Sequence, residues 1–246
     1  MEETTIRECT TIEQFDRCVA LQREAFGLPD LELSPRRHLI VSRQAGGWTL
    51  GAFVADRMVG FVHHMAAVRG DEIFGYSHVM AVAKDYQNKG VGARLKWAQR
   101  ERALSEGRKL IKWTWDPMLA RNAHFNLNRL GATVESYLED FYGIDYGTDE
   151  GLGLPSDRLS ATWRIDSERV HALAKGAEAP FEGKRVATIA VPADWNALVK
   201  RDHQHARAEQ MRVREECKRA FAEGWVCAGL ERGQEHSKYV LFETNI

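Results

Sequence analysis

Two kinds of hydrophobic pattern alternate along the first two-thirds of the chain. Short apolar runs with period-two alternation predict strands, and longer segments with apolar residues three or four positions apart predict helices. Thr11 opens the first helical segment with Gln14 three residues later, which is the spacing of a capping box. The predicted strands are residues 6–9, 48–55, 58–69, 75–82, 110–115, 134–142 and 159–165, and the predicted helices are 11–26, 91–105 and 121–132. This order predicts an α/β (α+β) protein.

The last third of the chain has its own pattern. It predicts a strand at 185–191, helical residues from 194 onward, a highly charged helix at 202–223, and a strand pair at 225–230 and 238–243. We therefore expect a main domain at 1–166, a linker at 167–184 and a C-terminal β-α-β-β extension at 185–246. The sequence leaves open whether this extension packs on the sheet, forms a lid or supports a dimer.

The segment 75–107 is the most informative. A predicted strand at 75–82 leads through the loop Gln87-Asn88-Lys89-Gly90-Val91-Gly92 into a predicted amphipathic helix at 91–105. The first N–H groups of a helix lack intrahelical partners, and the helix dipole adds positive potential there. Glycines let a ligand approach the backbone closely. The segment therefore predicts a phosphate-binding site.

Two nucleotide motifs fail on this loop. A Walker loop needs Gly-Lys-Ser/Thr, whereas the order here is Lys-Gly-Val-Gly-Ala. The dinucleotide fingerprint needs a third glycine at the position that Leu95 occupies. A plain strand–turn–helix, in which the glycines serve only the turn, is the structural alternative.

With Gln87, Gly90 and Gly92 following a strand that ends in Met80-Ala81-Val82, the segment resembles the pyrophosphate loop of the GNAT acyltransferases. The resemblance covers about residues 6–165. It implies a GNAT fold, with a mixed, mostly antiparallel central sheet flanked by helices, and an acyl-CoA donor. It also implies the coenzyme A contacts, which are Met80, Ala81, Val82, Gln87, Asn88, Lys89, Gly90, Val91, Gly92 and Asn122.

The chain departs from the family where the chemistry is expected. Leu127 occupies the position of a tyrosine that often protonates the departing thiolate, and the strand 75–82 lacks the glutamate that many relatives use as a base. His78 is the candidate base, because an imidazole has an unperturbed pKa near ~6.5. A structural, hydrogen-bonded histidine is the alternative for His78. Asp116 is the rival base or an ammonium anchor.

Further residues are candidates for binding the acceptor. Ser77 lies beside His78, and Arg158 has the chemistry to pair with a carboxylate on the acceptor or on the acyl group, although a surface salt bridge explains Arg158 equally well. Arg36, Arg37 and His38 form a basic patch in the connection that borders the acceptor site in the family. A solvated loop and helix is the alternative for this patch.

The combined motifs resemble a bacterial subgroup of N-acyltransferases that includes amino-acid N-succinyltransferases. This implies transfer of an acetyl or succinyl group from acetyl-CoA or succinyl-CoA to the primary amine of a small molecule such as an amino acid. The departures leave a second hypothesis, a non-catalytic acyl-CoA-binding or regulatory protein. A third, protein or nucleic-acid binding by the C-terminal part, rests on its charge alone.

Composition narrows the partners. The 246 residues carry a net charge of −1, which gives no bias toward nucleic acid. We expect no membrane span, no signal peptide and a cytoplasmic location with four reduced cysteines. Neighbouring residues of a strand face opposite sides, so His63 and His64 are expected one inside and one outside, with no metal site. A homodimer is left open.

Overall fold

The computed structural model describes residues 3–146 and 151–243. The chain forms two compact units, Met1–Lys112 and Trp113–Ile246. The fold is mixed α/β, with mostly antiparallel strands flanked by helices, as expected from the sequence.

The first unit is built around four antiparallel strands in the order β1-β2-β3-β4, with β5 parallel to β4. Every residue of β2 is buried, which is the pattern of a strand covered on both faces. The elements of this unit are β1 (Thr4–Glu8), α1 (Ile12–Phe26), α2 (Arg36–Gln44), β2 (Trp48–Val54), β3 (Arg57–Arg69), β4 (Glu72–Val82), α3 (Val91–Ser105) and β5 (Leu110–Trp115), which crosses into the second unit.

Local chemistry sets several of these bounds. The Thr11 side chain accepts the Gln14 backbone N–H and the Gln14 side chain accepts the Thr11 N–H, so the predicted capping box is confirmed. Gly27 ends α1 in the left-handed conformation at φ 65°. The bounds predicted for α3 and β5 are confirmed residue for residue.

The second unit has antiparallel strands in the order β7-β6-β9-β10-β8. The predicted β-α-β-β extension is present, and because β9 pairs with β6 through Cys227 and Val134, it extends this sheet. The elements are α4 (Ala120–His124) with a π-helical turn (Phe125–Arg129), β6 (Thr133–Leu138), β7 (Arg158–Arg164), α5 (Glu168–Ala174), β8 (Lys184–Pro192), α6 (Trp195–Arg201), α7 (His203–Ala222), β9 (Val226–Glu231) and β10 (His236–Glu243).

The structure adds detail to one expectation for this unit and corrects another. The predicted linker 167–184 contains α5, which Ser167 caps by accepting the Val170 N–H. Strand β6 ends at Leu138 instead of residue 142, because the backbone N–H groups of Asp140 and Tyr142 donate to the side chains of Asp157 and Ser156. Residues 147–150 of the following connection lie outside the described residues.

The helix α3 is also less amphipathic than expected. Its buried residues include Lys96, Gln99 and Arg100 in addition to Val91 and Leu95. Polar residues of an amphipathic helix are ordinarily solvated, so the pattern gave no sign of this burial. Lys96 and Gln99 are buried because they belong to a polar network that is described below.

Candidate active site

The loop that follows β4 presents the N-terminus of α3. Gly90 precedes the helix in the left-handed conformation at φ 81°, and no side chain among the described residues caps this end. A Cβ built at Gly90 would meet nothing within 4 Å, so the space before the helix is open. The first-turn N–H groups are thus available to an anion.

Neighbouring residues hold this loop in place. The Gln87 side-chain amide donates to the Val82 carbonyl over 3.1 Å, which ties the loop to the last residue of β4. Asn88 adopts φ 61°, a conformation that asparagine tolerates better than most residues. The Lys89 ammonium lies 5.4 Å from the centroid of the Tyr86 ring. A Cβ built on Gly92 would lie 3.6 Å from the Met80 methyl group, so the first turn of α3 lies against β4.

Strand β4 changes its pairing beside this loop. It pairs with β5 through Gly75 and Tyr76, and among the described residues this pairing does not extend to 77–82. On the other side, β4 pairs with β3 across a bulge, because Ser77 pairs with His64 and Val79 pairs with His63. His78 is the extra residue. Bulges redirect side chains and are frequent beside active sites.

His78 takes part in a cluster of polar side chains on the face covered by α1 and α2. Its Nε2 lies 2.7 Å from Ser34 Oγ. Gln22, which is buried on α1, accepts the Ser34 N–H and donates to the Ser34 carbonyl, over 2.9 and 3.1 Å. The Gln22 side chain therefore holds both the backbone N–H and the backbone carbonyl of Ser34.

Two more histidines complete the cluster. The His38 ring lies 5.1 Å from that of His78 and 5.5 Å from that of His63, between centroids. His63 contacts Ser42 Oγ through Nε2 and Thr49 Oγ1 through Nδ1, both at 2.8 Å. The His38 Nε2 atom is buried without a hydrogen-bond partner among the described residues.

The electrostatics favour the neutral form of the His63 and His78 rings. Desolvation, followed by the charges of His78 and His38, lowers the pKa of His63 to about 3. Desolvation, followed by His38, also lowers the pKa of His78. Because His78 is exposed, solvent moderates this lowering, but its imidazole is neutral at pH 7 in either case.

A second polar network lies on the face covered by α3. The Lys96 ammonium donates to Ser77 Oγ over 2.8 Å and to Gln99 Oε1 over 3.0 Å. Lysine has only donors, so the Gln99 oxygen faces Lys96 and the Gln99 nitrogen donates to His64 Nδ1 over 3.4 Å. His64 consequently carries its proton on Nε2, which is buried without a partner among the described residues. Burial lowers the pKa of Lys96 to about 7.

The expectation of one inner and one outer histidine is wrong. His63 and His64 are both fully buried, because α2 covers one face of β3 and α3 covers the other. The network also bears on Ser77, a predicted substrate-binding residue. Ser77 is buried and engaged by Lys96, a placement that does not favour contact with an acceptor.

Other predicted site residues lie in the second unit. Asp116 is half-buried, its Oδ1 accepts the Met118 N–H over 2.8 Å, and burial raises its pKa. The charge of Arg158 acts on Asp116 in the opposite sense. Arg158 donates to the Asp157 carbonyl and lies over the rings of Tyr142 and Tyr146.

Two further residues that the family resemblance singled out lie on α4 and the turn that follows it. Asn122 is exposed on α4. Leu127, at the position of the missing tyrosine, is fully buried in the π-helical turn. Among the described residues, no three or more His, Cys, Asp or Glu side chains are placed to hold a metal ion, and no helix is long and apolar enough to cross a membrane.

Sequence comparison identifies the class of domain that these elements form. Residues 13–127 match the model of the Acetyltransferase (GNAT) family, so the chain contains a GNAT acetyltransferase domain. The predicted enzyme class is thereby confirmed, and the match supports the predicted GNAT family over residues 13–127. The amino-acid N-succinyltransferase subgroup stays a prediction. No curated protein matched the chain.

Solved structures with the same fold cover about two-thirds of this chain. The ribosomal-protein-S18-alanine N-acetyltransferase from Escherichia coli has a TM-score of 0.55 at 16% identity, covering 67% of this chain and 96% of its own. Aminoglycoside 6'-acetyltransferase type Ii has a TM-score of 0.52 at 16% identity, covering 67% and 99%. A GNAT family acetyltransferase from Elizabethkingia anophelis with acetyl-CoA bound has a TM-score of 0.50 at 18% identity, covering 65% and 97%.

Proposed function

We propose that this protein transfers an acetyl or succinyl group from acyl-CoA to the primary amine of a small molecule, with an amino acid as the favoured acceptor. The observation that carries this proposal is the open N-terminus of α3 lying against β4, whose bulge presents His78. In this proposal residues 1–166 bind acyl-CoA and carry out the reaction, and residues 185–246 form an appended part.

The donor would be held by backbone groups. The pyrophosphate accepts hydrogen bonds from the N–H groups of the loop Gln87–Gly92, and Lys89 adds a positive charge. The pantetheine arm lies along Met80, Ala81 and Val82, on the edge of β4 that the pairing with β5 does not cover. The backbone N–H groups there are donors for the thioester oxygen as negative charge develops on it. Asn122 is the further coenzyme A contact.

Acyl transfer by direct attack requires a neutral amine. The amine nitrogen forms a bond to the thioester carbon, the C–S bond breaks, and one amine proton passes to a base. His78 is the proposed base, since its imidazole is neutral and Ser34 orients it. Asp116 is the rival, because its raised pKa makes it a better proton acceptor than an ordinary carboxylate. A thiolate tolerates departure without an acid near neutral pH.

The amine acceptor is supported by the chemistry of the similar proteins. Two of them are named for acetyl transfer to an alanine of a ribosomal protein and to an aminoglycoside. We propose that Arg158 binds a carboxylate of the acceptor, which would favour an amino acid. Its guanidinium lies over the rings of Tyr142 and Tyr146.

The second candidate is a non-catalytic acyl-CoA-binding protein. The observation that favours it is Leu127, whose burial leaves no hydroxyl at the position of the family's tyrosine. The deciding experiment measures release of free CoA from acetyl-CoA and succinyl-CoA with a panel of amino acids and simple amines. Release with a particular pair establishes transfer, donor and acceptor together. Tight acyl-CoA binding with no release from any pair supports the second candidate.

The loop assignment has its own test, the substitution Gly90→Glu. The new carboxylate occupies the open space before α3 and repels the pyrophosphate, so we expect acyl-CoA affinity to fall at least about 100-fold. Gly70→Glu is the matched control, because Gly70 also has a positive φ and open space at its Cβ but lies in the turn between β3 and β4. Unchanged affinity in Gly90→Glu, measured by calorimetry, would contradict the assignment.

A further inference from the structure

The second unit contains a cavity of about 890 Å³, within the size range of small-molecule sites. Its floor is formed by β6 and β7, where Thr133 and Thr162 are direct cross-strand partners. The segment 179–182, which the sequence had assigned to a linker, forms part of the wall. The residues of the candidate coenzyme A loop, 87–92, belong to the first unit, and none of them lines this cavity.

Arg169 holds part of the cavity wall in place through hydrogen bonds to the backbone. The Arg169 guanidinium donates to four backbone carbonyls, those of Ala179, Gly131, Leu127 and Ala228, at 3.0 to 3.2 Å. It also lies 5.6 Å from the centroid of the Phe181 ring. The charge of Arg169 is therefore engaged by protein dipoles, and the segment 179–182 is held in a defined place.

The rest of the lining combines rings with negative charge. Phe181, Phe221 and Trp225 are half-buried around the cavity. Glu135, Glu168 and Glu182 also line it, and none of the three has a hydrogen bond or ion pair from its side chain among the described residues. Arg164, exposed on β7, supplies the opposing charge at this site.

We propose that this cavity binds a small organic cation, specifically an amine that carries an aromatic ring. The rings supply apolar area and attract a cation through their faces. The three carboxylates accept hydrogen bonds from the ammonium group and outnumber the one guanidinium that is not committed to the wall. The proposal goes beyond acyl transfer, because the cavity's residues are separate from the proposed donor site and binding requires no acyl-CoA.

The test is calorimetric titration of the full chain, without acyl-CoA, with phenethylamine and with 3-phenylpropionate. These probes share the ring and a short linker and differ in the sign of their charge. We expect phenethylamine to bind at least about tenfold more tightly. Equal or tighter binding of the carboxylate, or no binding of phenethylamine, would overturn the proposal.

Substitutions of cavity-lining residues test whether phenethylamine binds in this cavity. Glu135→Gln and Glu182→Gln remove exposed charges, and each should weaken phenethylamine binding about three- to fivefold. Phe181→Leu keeps the apolar volume but removes a ring, and we expect a loss of about fivefold. Glu178→Gln is the matched control, since Glu178 is exposed nearby but does not line the cavity. Equal weakening in Glu178→Gln would overturn the assignment, and an unchanged melting temperature in each variant excludes misfolding.

Discussion

Two polar networks begin at neighbouring residues of strands β3 and β4, and they differ in their exposure to solvent. On the α3 side, His64, Ser77, Lys96 and Gln99 form a network that is buried throughout. On the α2 side, the network that contains His63 reaches solvent at His78. Both contain histidine and serine side chains, so these residue types do not distinguish them.

The two networks differ in whether a ligand from solvent can reach them. In the α3-side network a buried ammonium is held by fixed acceptors, which serves the packing of α3 on the sheet. In the α2-side network the bulge turns His78 outward, and Gln22 holds Ser34 in contact with it. A ligand can reach only the second network, so we assign stability to the first and chemistry to the second.

The largest effect is expected from Lys96→Ala. It removes the donor for Ser77 and Gln99 and leaves a cavity, so the free energy of unfolding should fall by about 3 kcal/mol. Urea denaturation measures it, and His78→Ala is the matched control with a change below about 0.5 kcal/mol. Equal losses in the two variants would remove the distinction between the networks.

The next effect concerns turnover. His78→Gln should lower kcat about 100-fold with acyl-CoA affinity unchanged, because the base is lost and the donor site is not touched. The rival substitution is Asp116→Asn, which keeps an oxygen acceptor for the Met118 N–H but cannot take a proton. A large loss in Asp116→Asn together with full activity in His78→Gln would move the base to Asp116.

The free energy of unfolding should decrease as the pH falls, because His63 and His64 are both buried in their neutral form. The pKa is about 3 in the fold for His63 and for His64, against about 6.5 in the unfolded chain, so the unfolded state binds more protons as the pH falls through 6.5. Each histidine should cost about 1.4 kcal/mol between about pH 7.5 and about pH 5.5. Denaturation of His64→Gln at both values should show this cost reduced by one histidine's share. An identical pH dependence in wild type and variant would mean that His64 titrates normally.

The smallest effect is expected from Ser34→Ala. Without its hydroxyl partner the His78 imidazole is free to rotate, so kcat should fall about fivefold while the KM for acyl-CoA stays unchanged. Ser34→Thr keeps the hydroxyl and should restore most of the activity. Full activity in Ser34→Ala would show that the contact has no part in orienting the base.

The sequence predicted what depends on local chemistry. The α1 capping box, the bounds of α3 and β5, and the order of the C-terminal elements all follow from patterns within a few residues. The burial of Lys96 and Gln99 was not predicted, because a polar residue on an amphipathic helix is ordinarily solvated and the partners of these two side chains lie on strands β3 and β4.

The candidate site divides in the same way. The loop Gln87–Gly92 could be recognised from its spacing and neighbours. The bulge at His78 leaves no mark in the local sequence, and Ser34 lies 44 positions from the imidazole it contacts. Such contacts arise only when α1, the segment before α2 and β4 pack together.

The stacking of His64 on Trp48 has a consequence for how this sequence can evolve. The rings lie parallel at 4.1 Å, and a methyl group at Gly75 would come within 2.0 Å of the His64 ring. Positions 64 and 75 are therefore an epistatic pair. Gly75→Ala is deleterious while His64 is present, and a smaller side chain at 64 is the compensatory change that would allow it.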